Sequence, residues 1–61
     1  MELINESTAM SMFDEYFNDM NGIVDIGGFK YPAAYALRMT DPVAYREEML
    51  NTLDDMGFDI V

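Results

Sequence analysis

Ile23-Val24-Asp25-Ile26-Gly27-Gly28-Phe29-Lys30-Tyr31 is the stretch on which the fold turns. Gly-Gly between two β-prone runs supplies the positive φ angles of a two-residue hairpin turn. The register follows residue by residue. Ile26 stands opposite Phe29 and Val24 opposite Tyr31, all on one apolar face. Asp25 stands opposite Lys30 on the other face, a favourable cross-strand charge pair. Two strands alone are barely stable in water, so helices must lie against them.

On the N-terminal side, the spacing predicts an amphipathic helix over roughly Ser7 to Asn21. Met10, Phe13, Phe17 and Met20 fall on one stripe, flanked by Ala9 and Tyr16. Ser11, Glu15, Asn18 and Asp19 fall opposite, and Met12 is the apolar residue on the polar side. Gly22 is expected as a left-handed C′ residue, with Ile23 packing back on Phe17. On the C-terminal side, Pro32 to Met39 reads as a short helix with Pro in its first turn. Its thin apolar face is Ala33, Ala36 and Leu37. Asp41-Pro42 then pairs an N-cap with an N1 proline. The helix it starts runs to about Met56 and is expected to bury Val43, Met49, Leu50, Leu53 and Met56. Gly57 stops it, and Phe58 is placed to contact Leu53. The expected fold is α+β, in the order helix, β-hairpin, short helix, long helix.

Sixty-one residues allow one small domain over 1–61. A chain this short buries only about 60% of the surface exposed by its unfolded form. Disulfides, a structural metal or a partner subunit often support such cores. With no Cys and no His, disulfides and ordinary zinc sites are excluded, and self-association is left open. An apolar content of 51% argues against disorder despite a net charge of -9. That charge also repels nucleic acid and anionic membranes. No apolar run approaches the roughly 20 residues needed to span a bilayer. Met1-Glu2-Leu3-Ile4-Asn5-Glu6 lacks the basic and apolar regions of a signal peptide. A cytoplasmic protein is therefore expected.

Catalysis is not expected. The chain has no histidine base and no thiolate nucleophile. Acid–base work by two carboxylates needs a cleft that separates their environments, which so small a domain can hardly enclose. Ser7, Thr8, Ser11, Thr40 and Thr52 have no histidine to activate them, and Lys30 is expected to pair with Asp25. Asp19-Met20-Asn21-Gly22 begins like an EF-hand loop but lacks the later ligands, including the twelfth-position Glu. No cofactor and no dedicated metal site are expected.

The acidic pattern carries more information. Glu47, Glu48, Asn51, Asp54 and Asp55 share the outer side of the last helix. The bland explanation is a solvated face that keeps the protein dispersed. Yet Asp54 and Asp55 sit in a final turn, where the helix dipole disfavours negative charge by about 0.3 to 1 kcal/mol each. Asp19 does the same on the first helix, and few lysines stand at i+4 to compensate. Rules broken repeatedly without local gain mark candidate functional surfaces. Asp14, Glu15, Asp19, Glu47, Glu48, Asp54 and Asp55 are thus expected to bind a partner, together with Tyr35 and Tyr45 as exposed aromatic contacts. Of the seven methionines and eight aromatics, most are expected to fill the core.

Gly28-Phe29-Lys30-Tyr31-Pro32-Ala33, Leu37, Asp41-Pro42-Val43-Ala44-Tyr45-Arg46 and Leu53-Asp54 together resemble a loose group of small acidic proteins of bacteriophages and mobile elements. The shared pattern is Gly-x-x-Tyr, Leu, Asp-Pro-x-Ala-Tyr-Arg, spanning roughly Gly28 to Asp55. That group is mostly without assigned function, so the resemblance implies a mobile-element setting more than an activity. In that setting small acidic proteins often block host defence enzymes, as anti-CRISPR and antirestriction proteins do. The partner expected on that basis is a basic host protein with a nucleic-acid cleft. Arg46 is expected to pair with Asp41, Asp14 or a partner chain. The alternative is a structural or adaptor module that binds through an apolar Met/Tyr surface, with charge serving only dispersal. A homodimer is also expected, covering Met12, Tyr35 and the Ile60-Val61 tail.

Overall fold

A computed structural model describes residues 2–61. Three residues of strand, β1 (Glu2–Ile4), lead into α1 (Glu6–Asn21), and the hairpin strands β2 (Ile23–Ile26) and β3 (Phe29–Pro32) follow. Two further helices, α2 (Ala33–Thr40) and α3 (Pro42–Met56), precede a last short strand, β4 (Phe58–Ile60). The class is α+β, and the helix, hairpin, short helix, long helix order is as expected. The additional feature is a parallel pairing of β1 with β4, Glu2 beside Phe58 and Ile4 beside Ile60. The Glu2 N–H donates to the Gly57 carbonyl at 3.1 Å, and the Val61 N–H to the Ile4 carbonyl at 2.9 Å. Each strand is too short to show a period, and the partners lie at opposite ends of the chain. This clasp is therefore invisible to local pattern.

The helices start where side-chain acceptors meet orphan N–H groups. Asn5 caps α1, its Oδ1 accepting from the Thr8 N–H at 2.8 Å. Asp41 caps α3 as expected, accepting from the Ala44 N–H at 3.1 Å, with Pro42 at the first helical position. Pro32 differs from expectation. It is the last residue of β3, opposite Ile23, and precedes the helix rather than entering it. It has no side-chain cap to offer, and α1 supplies one instead. The Ala34 N–H donates to Asn18 Oδ1 at 2.8 Å, and the Ala33 N–H to the Gly22 carbonyl at 3.1 Å. The end of α1 thus terminates the start of α2.

The hairpin register agrees with the sequence reading at every pair. Gly27 and Gly28 have φ of 59° and 86°, the two positive values of a type I′ turn. The expected Asp25–Lys30 ion pair is absent, however. Asp25 Oδ1 accepts from the Gly28 N–H at 3.0 Å, so the carboxylate is spent bracing the turn. Gly22 also departs from expectation: φ is positive but ψ is -138°, outside the left-handed helical region. That geometry sends the chain straight into β2, and Ile23 stays 69% exposed instead of folding back on Phe17.

The core is a contiguous cluster of Ile4, Ala9, Phe13, Ala34, Tyr45, Met49 and Leu53. Phe13 is its centre, with ring centroids 5.3 Å from Phe17 and 5.2 Å from an edge-on Tyr45, within the favoured range for aromatic pairs. Met12 and Ile60, expected to lack a home, are half-buried against this cluster. Conversely, Met20, Val43, Leu50 and Met56 are exposed. Met20, Val43 and Met56 lie near helix ends, and Leu50, one residue past the buried Met49, is turned about 100° away from it.

This packing distinguishes two substitutions that the sequence alone would rank as similar. Phe13→Ala, at 0% exposure, should cost about 3 to 5 kcal/mol. Val43→Ala, at 67% exposure, should change stability by no more than about 0.5 kcal/mol. Urea denaturation measures both, and equal losses would contradict this placement of the core.

Candidate functional site

The carboxylates divide into those the fold uses and those it leaves free. Asp14 is half-buried and accepts a 2.6 Å hydrogen bond from the Tyr45 hydroxyl. Tyr45 itself is 4% exposed. The expectation of Tyr45 as an exposed partner contact is therefore overturned: its ring packs on Phe13 and its hydroxyl ties α3 to α1. Asp14 is correspondingly engaged inside the molecule. Burial pushes the Tyr45 phenol well above its ordinary range, and the hydrogen bond to Asp14 and the Asp14 charge push it the same way.

Arg46 pairs with Glu6 at 2.9 Å, bridging α3 to the first turn of α1, and not with Asp41 or Asp14. Both side chains are more than half exposed, so the pair contributes little to stability. Among the described residues it is the one ion pair. Glu15, Asp19, Glu47, Glu48, Asp54 and Asp55 are exposed, with no cation among the described residues within salt-bridge reach. Neither α1 nor α3 has a basic residue in its last turn, so the dipole penalty on Asp19, Asp54 and Asp55 is uncompensated.

These free carboxylates are arranged in rows. Glu47 and Asp54, and likewise Glu48 and Asp55, are seven residues apart, hence within about 20° of each other around α3 and roughly 10 Å apart along it. Glu15 and Asp19 of α1 line a shallow groove with Met12, Tyr16 and Met56. Asp54 lines a second with Asn51 of α3 and Asp59 of β4. Asp59 belongs to this surface as well, brought beside α3 by the left-handed turn at Gly57 that folds β4 back. Among the described residues no three His, Cys, Asp or Glu side chains converge to hold a metal ion. No helix among them is long and apolar enough to cross a membrane.

Tyr35, the other expected aromatic contact, is 42% exposed and lies away from these rows. It stacks on Tyr31 with centroids 5.8 Å apart. The Arg38 guanidinium sits 5.7 Å from the Tyr35 ring and 5.8 Å from the Tyr45 ring, within cation–π reach of both. With Ile26, Ala36 and Met39, the two tyrosines line an apolar cleft between the hairpin and α2. The molecule therefore presents two chemically different surfaces.

The Tyr45–Asp14 contact generates a pH dependence. The phenol binds its proton more tightly folded than unfolded, so its contribution is complete below the unfolded value of about 10. It is lost as pH climbs toward the raised folded value. Absorbance titration near 295 nm should show one tyrosine ionising above the ordinary range, or only with unfolding. Tyr45→Phe should remove that step and cost about 1.5 kcal/mol, the value of a hydrogen bond to a charged group. Four tyrosines titrating together would contradict the contact.

No protein-family model, no curated protein and no solved structure matches this chain, so function has to be argued from its own residues and geometry.

Proposed function

We propose that this protein is a binding protein rather than an enzyme, and that its carboxylate rows engage the basic nucleic-acid cleft of a host protein in the cytoplasm. The observation that carries the proposal is the set of exposed carboxylates on α1 and α3 that pair with no cation among the described residues. Each such charge adds to the self-repulsion of a compact chain at -9. A cation-lined cleft supplies the missing counter-charges. The roughly 10 Å between Glu47 and Asp54 spans about three phosphate steps of a DNA strand, at roughly 3.4 Å each. Two such rows on one helix imitate, loosely, the negative edge of a backbone. The resemblance to small acidic phage proteins supports the same reading, with inhibition of a defence enzyme as the consequence.

A specific observation favours a second reading, an adaptor that binds through apolar surface: Ile26, Phe29, Tyr35 and Met39 are exposed at the hairpin end. Charge reversal separates the two. Glu47→Lys with Asp54→Lys alters exposed residues only and leaves the core intact. Under mimicry it should abolish capture of the partner from a host lysate, identified by mass spectrometry; under the adaptor reading capture should be nearly unchanged. Partners that lack a basic nucleic-acid cleft would contradict mimicry. So would binding that persists in about 1 M salt, where the Debye length is roughly 3 Å.

A further inference from the structure

We infer that the hairpin–α2 end docks a second copy of this chain, with Ile26, Phe29, Tyr35 and Met39 at the centre of a two-fold interface. The end stands apart from the rest. The molecule as a whole is elongated, its long axis of 41 Å exceeding the other two, at 20 and 16 Å. The sixteen residues of α1 account for about 24 Å of such a length, and a four-residue hairpin continuing past Gly22 adds roughly 13 Å. The radius of gyration, 12.0 Å, exceeds the roughly 10.5 Å of an average domain of this length. The hairpin packs on α2 and on little else, so its apolar face is only half covered. Phe29 and Met39 are 68% and 64% exposed, and Ile26 and Tyr35 nearly half.

Charge favours a second copy placed end to end. Residues 23–40 hold Asp25 against Lys30 and Arg38, whereas the rest of the chain holds eleven carboxylates against Arg46 alone. Two molecules at -9 repel wherever their helical bodies meet. End-to-end contact through 23–40 keeps most of the carboxylates of the two bodies many ångströms apart, beyond the roughly 8 Å screening length of physiological salt. The same end, at a net +1, is poorly suited to the basic partner proposed above, which leaves the carboxylate rows free for it. Area agrees as well. A standard interface takes roughly 800 Å² from each partner, about a fifth of this molecule's 4226 Å². Supplying that much takes a whole end, and the hairpin face with the α2 flank is the one that is both apolar and nearly uncharged. A two-fold contact uses the same patch on both copies and closes at the dimer.

Sedimentation equilibrium of the full chain over a wide concentration range tests this. The expected mass rises from 7.0 kDa toward twice that value, and added salt tightens the association by screening the remaining repulsion. Phe29→Asp with Met39→Asp should weaken it at least about tenfold, as loss of central contacts does. Leu50→Asp, an exposed apolar residue on α3, should leave it unchanged. Circular dichroism confirms that each variant folds, and isotope-filtered NOEs across the wild-type interface should involve Phe29 independently of any variant. A mass of 7.0 kDa at every concentration and salt level would overturn the inference. So would assembly beyond the dimer, or association lost in Leu50→Asp but kept in the hairpin variant.

Discussion

Phe13 between Phe17 and Tyr45 is the contact from which the rest of the structure follows. It places α1 against α3, and the Tyr45 hydroxyl then reaches Asp14 to fix their rotation about one another. Once those faces are turned inward, Glu15 and Asp19 on one helix and Glu47, Glu48, Asp54 and Asp55 on the other face water. The β1–β4 pair closes the same core from the side, adding Ile4, Phe58 and Ile60. Nothing in this core requires the hairpin, which is anchored instead through Asn18, Gly22 and the start of α2. The division between an acidic body and a nearly neutral apolar end is thus a result of which residues the core consumes.

Much of that arrangement was legible in the residues, for identifiable reasons. The hairpin register was readable because Gly27-Gly28 fixes the turn and period-two alternation then has one solution. Asp41-Pro42 was readable because cap and N1 proline are local chemistry. The β1–β4 clasp was not, since three-residue strands carry no periodic signal and their pairing spans nearly the whole chain. Tyr45 was misplaced because an apolar stripe ranks a tyrosine below Val43 and Leu50. The structure reverses that order, and the hydroxyl is the reason: Asp14 satisfies it inside, so the ring can be buried without an orphaned donor.

Asp25 and Arg46 carry a related lesson. Opposite charges at facing positions suggest a pair, but a carboxylate goes to whichever donor is fixed nearest. For Asp25 that donor is the Gly28 N–H of the turn it precedes; for Arg46 the acceptor is Glu6, far away in sequence. Among the described residues, both outcomes leave Lys30 of β3 and Arg38 of α2 with no carboxylate in salt-bridge reach. They strengthen the contrast between the two ends of the molecule. Acidic residues are thereby concentrated where the helices are bare, and cations where apolar side chains are bare.

That separation of charge is the central claim, and paramagnetic relaxation of backbone amides by small soluble probes measures it directly. A cationic probe should relax amides around Glu15–Asp19 and Glu47–Asp55 markedly more than an uncharged analogue of the same size does. Over residues 23–40 the two probes should act about equally. A cationic preference spread evenly along the chain, or concentrated at the hairpin, would contradict the account.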